Sequence, residues 1–382
     1  MLAKRGCSLR WAVVFSLALV AAPRAQQWVV VPSQYDGQEG TSGGTVAGFS
    51  ARFREQILVS GTALQALQGE EIDSLWFRRD DLFGKTLLSS WSNIKVTVAP
   101  ALLPPTAPSR VFVENLGAPS QVVFDGLLPL DGSSAPPSPA PWATPFVAMV
   151  PFDTTYSYTG GDLCIEIEGT PDYPPLDFVW WVDVAHLAAV GSVQHVGSPC
   201  GAPAAENALT ADAWGRNMVP GATFTMVSFG RPGTPGVMLL GAPLPTPLSL
   251  AFMGASGCEL YLLPTLQILG QHSAPVGGGA VAAPLFWDVH LPVHPGFLGA
   301  QFRVQFANLE TGSGSSNPAR ITTTNALDIT LGGSLPSGPI SVVKSEAVPD
   351  GAPLPDFGMV SVSRGPVLRF GSRPAAAGGS SR

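Results

Sequence analysis

Short runs in which apolar and polar residues alternate recur along the chain from Val46 onward. In IKVTVA, Ile94, Val96 and Val98 fall on one side, and Lys95 and Thr97 on the other. LCIEIE sets Leu163, Ile165 and Ile167 against Cys164, Glu166 and Glu168. QFRVQF sets Phe302, Val304 and Phe306 against Gln301, Arg303 and Gln305, and LDITL sets Leu327, Ile329 and Leu331 against Asp328 and Thr330. A period of two sends successive side chains to opposite faces of a strand, so each run predicts a strand buried on one face. FVWWVDV, Phe178 to Val184, is apolar on both sides and predicts a central strand covered twice. Only TALQALQG, Thr62 to Gly69, offers a turn or two of helix.

Gly, Pro, Asn and Ser punctuate these runs at the spacing expected of a β-sandwich. DGSSAPPSPAPWATP, Asp131 to Pro145, reads as a loop inside a first module, because strands resume after it. VGSPCGAPAAENALTADAWG, Val196 to Gly215, reads as the boundary to a second. The expected division is a leader over 1–25, an N-terminal β-sandwich over 26–195 and a C-terminal one over 196–333. An extension over 334–371 has one or two strands, GPISVV and GMVSVS, and a tail over 372–382 has nothing to bury. The fold class is therefore all-β, two antiparallel sandwiches in tandem.

Composition narrows the function. Of 382 residues 45% are apolar, enough for real cores, while only 12% are charged, about half the usual share. The 43 glycines and 38 prolines suit a chain of many turns. Net charge is -7, and Lys4, Lys85, Lys95 and Lys344 are the only lysines. Nucleic-acid binding needs clustered cations to displace counterions, so that class is set aside.

The start, MLAKRGCSLRWAVVFSLALVAAPRAQQ, has a basic opening at Lys4, Arg5 and Arg10, an apolar run from Trp11 to Ala22, and a small residue at Ala25. That is the layout of a secretory signal peptide; the rival is a buried N-terminal helix. The run is shorter than the ~20 apolar residues a membrane helix needs. Pro23 stands where a small residue is preferred, which leaves the cut site open. Cys7 precedes the run and leaves with it. The expected location is outside the cytoplasm: extracellular, cell-surface or periplasmic.

The second half carries GSPCGAP, GVMLLGAP, PLSLAFMGASGCELYLLP, LPVHPGFLGAQFRVQF and TTNALDITLGG; the first carries RFREQIL, IDSLWFRRD and SRVFVENLGAPSQVVFDGLLPL. Together, over roughly residues 45 to 333, these resemble the paired β-sandwich modules of uncharacterised exported proteins from planctomycete-type bacteria. TNAL-I-LG and GC-L are the most specific pieces; SPC stands where a glycine-cysteine pair is usual. The resemblance implies fold and export and carries no activity. Without the leader three cysteines remain, Cys164, Cys200 and Cys258, and an exported chain favours pairing. Cys200 and Cys258 both adjoin glycine at turn-strand junctions, and the resembling family has its two cysteines at these points, so they are paired here. Cys164 is the spare, and Cys164–Cys200 is the rival link.

Other candidate chemistry is weaker. Cys258 as a nucleophile needs a base such as His272, His290 or His294 and a lowered thiol pKa, and no basic neighbour or following helix supports that. His290 and His294 in HLPVH have zinc spacing only on a helix, which Pro292 opposes. Ser42 in GTSGG matches G-x-S-x-G, but no helix pattern follows, so it reads as a loop residue. Glu70/Glu71 and Asp80/Asp81 are adjacent pairs whose members point apart on a strand; they read as solvated turn charges rather than a glycosidase pair. Asp125, Asp131 and Asp172 are loop acids suited at most to weak calcium binding. No cofactor or resident metal is indicated. The tryptophans stand out: Trp180 and Trp181 are adjacent, so one ring faces away from the other, and with Trp91, Trp142 and Trp287 they offer stacking faces for sugar. The expectation is a non-catalytic structural or interaction protein of the envelope or matrix, with polysaccharide or other envelope proteins as partners. The alternative is a carbohydrate-binding surface protein that uses Trp180 and Trp181.

Overall fold

A computed structural model describes residues 26–81, 86–172, 179–187, 191–201, 210–211, 218–272, 283–310 and 317–374. The proposed leader and residues 375–382 of the tail lie outside them. The described residues are all-β, with no α-helix among them. The strands are β1 (Gln27–Val31), β2 (Ser42–Gly44), β3 (Phe53–Val59), β4 (Glu70–Arg78), β5 (Ser90–Pro100), β6 (Gln121–Leu130), β7 (Val147–Ser157), β8 (Leu163–Pro171), β9 (Val182–His186) and β10 (Ser192–Val196). They continue with β11 (Thr210–Ala211), β12 (Thr223–Gly230), β13 (Pro235–Ser249), β14 (Glu259–Gln271), β15 (Ala283–His290), β16 (Gln301–Leu309) and β17 (Ile321–Thr330). The last are β18 (Ile340–Lys344), β19 (Met359–Val362), β20 (Arg364–Pro366) and β21 (Leu368–Pro374). The helical turn expected in TALQALQG is a single 3-10 turn, Gln65–Leu67.

Three sheets draw on both ends of the chain: β1-β21-β4-β7, β19-β18-β3-β8-β5-β6 and β2-β9-β20. Two others, β10-β17-β16-β13-β14 and β11-β12-β15, draw only on the middle. The four strands after residue 339 are therefore part of the first group of sheets, where the sequence suggested an extension and a tail. β21 lies between β1 and β4, with Phe370 opposite both Val29 and Leu75, and Ser372 opposite Ile72. Phe370 is 1% exposed. The pattern RFGSRP is too polar to announce a central strand, yet neighbours on both sides satisfy its backbone. β10 moves the other way: it pairs with β17 in the second group, ahead of the boundary expected at 196.

The main core is where the four- and six-stranded sheets meet, with Leu75, Phe77 and Phe370 on one side and Ile57, Val96 and Ile165 on the other. A second core, around Phe224, Met238, Val304, Phe306 and Leu327, belongs to the middle sheets. A seam of Leu58, Phe112, Val343, Val360 and Val362 packs on Val219 and Ala222, just before β12. The LDITL run alternates as predicted, and the predicted positions of β5 do so except Thr97, which is buried. β8 does not: Cys164 and Glu166 are as buried as their apolar neighbours. β8 is central, and on its second face Glu166 accepts hydrogen bonds from Arg54 and Gln56, so a charged position is accommodated inside.

Candidate functional site

Where β12 of the middle sheets meets β18, β19 and β20, the seam opens into a cleft of about 280 Å³. Its walls are largely apolar, among them Val46, Val182, Val184, Val342 and Met359. Thr223 and Thr225 enter from β12. The Thr223 hydroxyl accepts the Val360 N–H at 3.1 Å, and Thr225 donates to Asp288 at 2.6 Å.

Four charged side chains line this cleft, Glu55, Lys344, Glu346 and Arg364, and the first two face it from neighbouring strands. Glu55 on β3 and Lys344 on β18 are directly opposite in the antiparallel register, so both side chains emerge on one face. Glu55 is 2% exposed. One of its oxygens accepts the Ala47 N–H at 3.1 Å; the other has no hydrogen-bond partner among the described residues. Burial pushes its carboxyl up to about 7, against the opposing pull of Lys344 and the Ala47 N–H. Burial likewise pulls the Lys344 ammonium down to about 8, with Glu55 resisting. The ammonium donates to the Thr45 carbonyl at 3.3 Å and to the Thr45 hydroxyl, and it sits 4.1 Å from the centre of the Phe53 ring. Two of its three donors are thus engaged. The sequence singled out neither Glu55 nor Lys344: they are 289 positions apart, and only strand pairing makes them neighbours.

The predicted residues fare unevenly. Cys200 and Cys258 form a disulfide, with Cα atoms 5.1 Å apart, inside a small cluster with Leu250 and Ala255. Cys258 is therefore not a nucleophile. Cys164 is free and buried, and burial pushes its thiol well above the usual range. His272 is spent on structure, bridging the Ala283 carbonyl and the Asn308 side chain at 3.0 Å each. His290 ends β15 against the Thr223 hydroxyl, and burial lowers its pKa. His294 accepts from the Gly296 N–H ahead of a 3-10 turn.

Trp180 corrects an expectation: it is fully buried, edge-on to Phe49 at 5.6 Å, and cannot stack on a sugar. Trp181 is half-buried and Trp91 is 50% exposed. Trp142 lies over the guanidinium groups of Arg78 and Arg369. Ser42 is also corrected. It is a strand residue on β2, not a loop residue, and its hydroxyl is 2.9 Å from His186 Nε2. The strand-to-helix turn that lifts a hydrolase serine is absent at β2, which continues as a paired strand against β9.

Glu70 and Glu71 are adjacent on β4, and Glu71 binds Thr155 and Arg373. Asp80, expected in solvent, is fully buried. With Glu39 and Asp81 it forms a group whose ligand atoms lie within 4.8 Å of one another, a spacing that could hold a hard cation. Glu39 already clamps the Ala140 and Asp81 N–H groups, and burial raises its carboxyl to about 7. Asp125, Asp131 and Asp172 lie outside this group. Next to it, Arg78 and Asp183 form a fully buried ion pair between β4 and β9. Asp183 also accepts the Gly40 N–H at 2.7 Å, an approach so close that a Cβ at Gly40 would overlap the carboxylate.

Fold and site together define an all-β protein with a charged pair in a cleft between two groups of antiparallel sheets. No family model matches the chain, and neither a curated protein nor a solved structure matches it.

Proposed function

We propose that the chain is an exported, non-catalytic structural or interaction protein of the cell envelope or extracellular matrix, related to the exported planctomycete-type proteins it resembles. Its architecture in this reading is a signal peptide followed by two β-sandwich modules, the second inserted between strands of the first. The disulfide suits an oxidising compartment. Among the described residues no helix is long and apolar enough to cross a membrane.

The observation that carries the reading is the apolar surface of the β13–β14 hairpin. β14 is an edge strand, and Leu263, Leu266 and Leu269 along it are 60%, 51% and 82% exposed. At the hairpin tip Phe252 and Met253 are exposed as well. Leu266 and Leu269 point to opposite faces of β14, so exposed apolar side chains flank its open edge on both sides, and such an edge marks a contact site. From Leu260 to Gln271 the strand has no charged residue, which suits an apolar protein partner. Pro264 within the strand limits open-ended strand addition.

Binding of the exported chain to envelopes of its source organism, before and after protease treatment, tests this. Retention lost on protease treatment and in Leu266→Glu/Leu269→Glu supports the reading. The carbohydrate-binding alternative loses Trp180 and rests on Trp91 and Trp181: retention on insoluble polysaccharide that falls when either becomes Ala supports it. Turnover of generic ester, peptide or glycoside substrates, or fluorophosphonate labelling of Ser42, overturns both.

A further inference from the structure

We propose that the cleft at the Glu55–Lys344 pair binds a small neutral molecule with an apolar body and a head group that presents a hydrogen-bond donor beside an acceptor, of which a primary carboxamide is the simplest case. Three observations carry this. Much of the surface lining the cleft is apolar, from Val46, Val182, Val184, Val342, Met359 and Pro366, which favours an apolar body. Glu55 lines the cleft with one oxygen taken by the Ala47 N–H and the other without a hydrogen-bond partner among the described residues, open to an occupant of the cleft. Beside it is an ammonium with one donor left after Thr45 takes two.

A carboxamide answers both groups at once, its N–H donating to Glu55 and its carbonyl accepting from Lys344. The charged groups lining the cleft, Glu55 and Glu346 against Lys344 and Arg364, balance when ionised and leave no net charge for an ionic ligand to neutralise, and a carboxylate ligand would place its charge beside Glu55. With the Glu55 carboxyl near 7, both protonation states occur at neutral pH, and each can bond an amide: the carboxylate accepts its N–H, the acid donates to its carbonyl. The cleft opens between the two groups of sheets, so its occupant touches β12 as well as β18 and β19.

Hexanamide and hexanoate are titrated against the full exported chain at pH 7.5, with binding read by saturation-transfer NMR. Hexanamide should bind saturably and more tightly than hexanoate. Glu55→Leu should weaken hexanamide by about tenfold or more, the usual consequence of leaving a buried polar partner unmet. Glu55→Gln, which keeps an acceptor and a donor, should retain binding within a few-fold. Met359→Trp should abolish binding by filling the cleft, and urea unfolding checks that each variant is folded. Absence of saturable binding, a preference for hexanoate, or unchanged binding in folded Met359→Trp each overturns the proposal.

Discussion

Replacing Glu55 by Gln removes one titratable group and keeps an oxygen that can accept the Ala47 N–H. In the folded protein this carboxyl titrates near 7, against an ordinary 4.5. Between those two values the native state holds a proton that the unfolded chain has released, so the native state loses stability as pH rises through this window. The contribution of Glu55 is most favourable below about 4.5, and the full cost of its buried charge is reached above about 7. At 1.36 kcal/mol per unit, the wild type should lose about 2–3 kcal/mol from this residue between pH 4.5 and 7. Lys344, pulled down only to about 8, remains mostly protonated in the wild type over the same window. Glu55→Gln should therefore gain on the wild type by that amount as pH rises. Urea unfolding midpoints of both proteins, followed by tryptophan fluorescence at pH 4.5, 5.5, 6.5 and 7.5, read the difference directly. Parallel pH dependences would falsify the assignment, because they would mean that Glu55 ionises as an exposed carboxylate does.

Three further outcomes test other parts of the structure. Cys200→Ser/Cys258→Ser should lower stability by about 4 kcal/mol, the chain-entropy value for a link across 58 positions, as measured by urea unfolding of oxidised wild type against the double variant. Arg78→Met should cost about 3–5 kcal/mol by leaving Asp183 charged and buried, and Arg78→Met/Asp183→Asn should recover part of that; additive losses in the cycle would remove the coupling argued for this pair. Cys164 should resist iodoacetamide in the folded protein and react once guanidinium unfolds it; rapid native labelling, found by peptide mass, would contradict its burial and raised pKa.

The alternating runs and the spacing of Gly and Pro were enough to determine by themselves that the chain is all-β, because a period of two is a local property of a strand. β5, with Ile94, Val96 and Val98 inward, and β17, with Leu327 and Ile329 inward, could be read directly. The Cys200–Cys258 link was legible from cysteines at turn-strand junctions together with the family resemblance. Tertiary structure alone decided the rest. It placed the polar run Leu368–Pro374 at the centre of a sheet, because pairing on two sides is a matter of topology, not composition. It buried Trp180 against Phe49 and left Trp91 exposed, a choice an aromatic residue does not disclose in sequence. It carried Asp80 out of solvent to Glu39, and Ser42 to His186. Above all it set Glu55 beside Lys344 in the cleft: each reads alone as an ordinary surface charge, and the shared burial that shifts both exists only once β3 and β18 are paired.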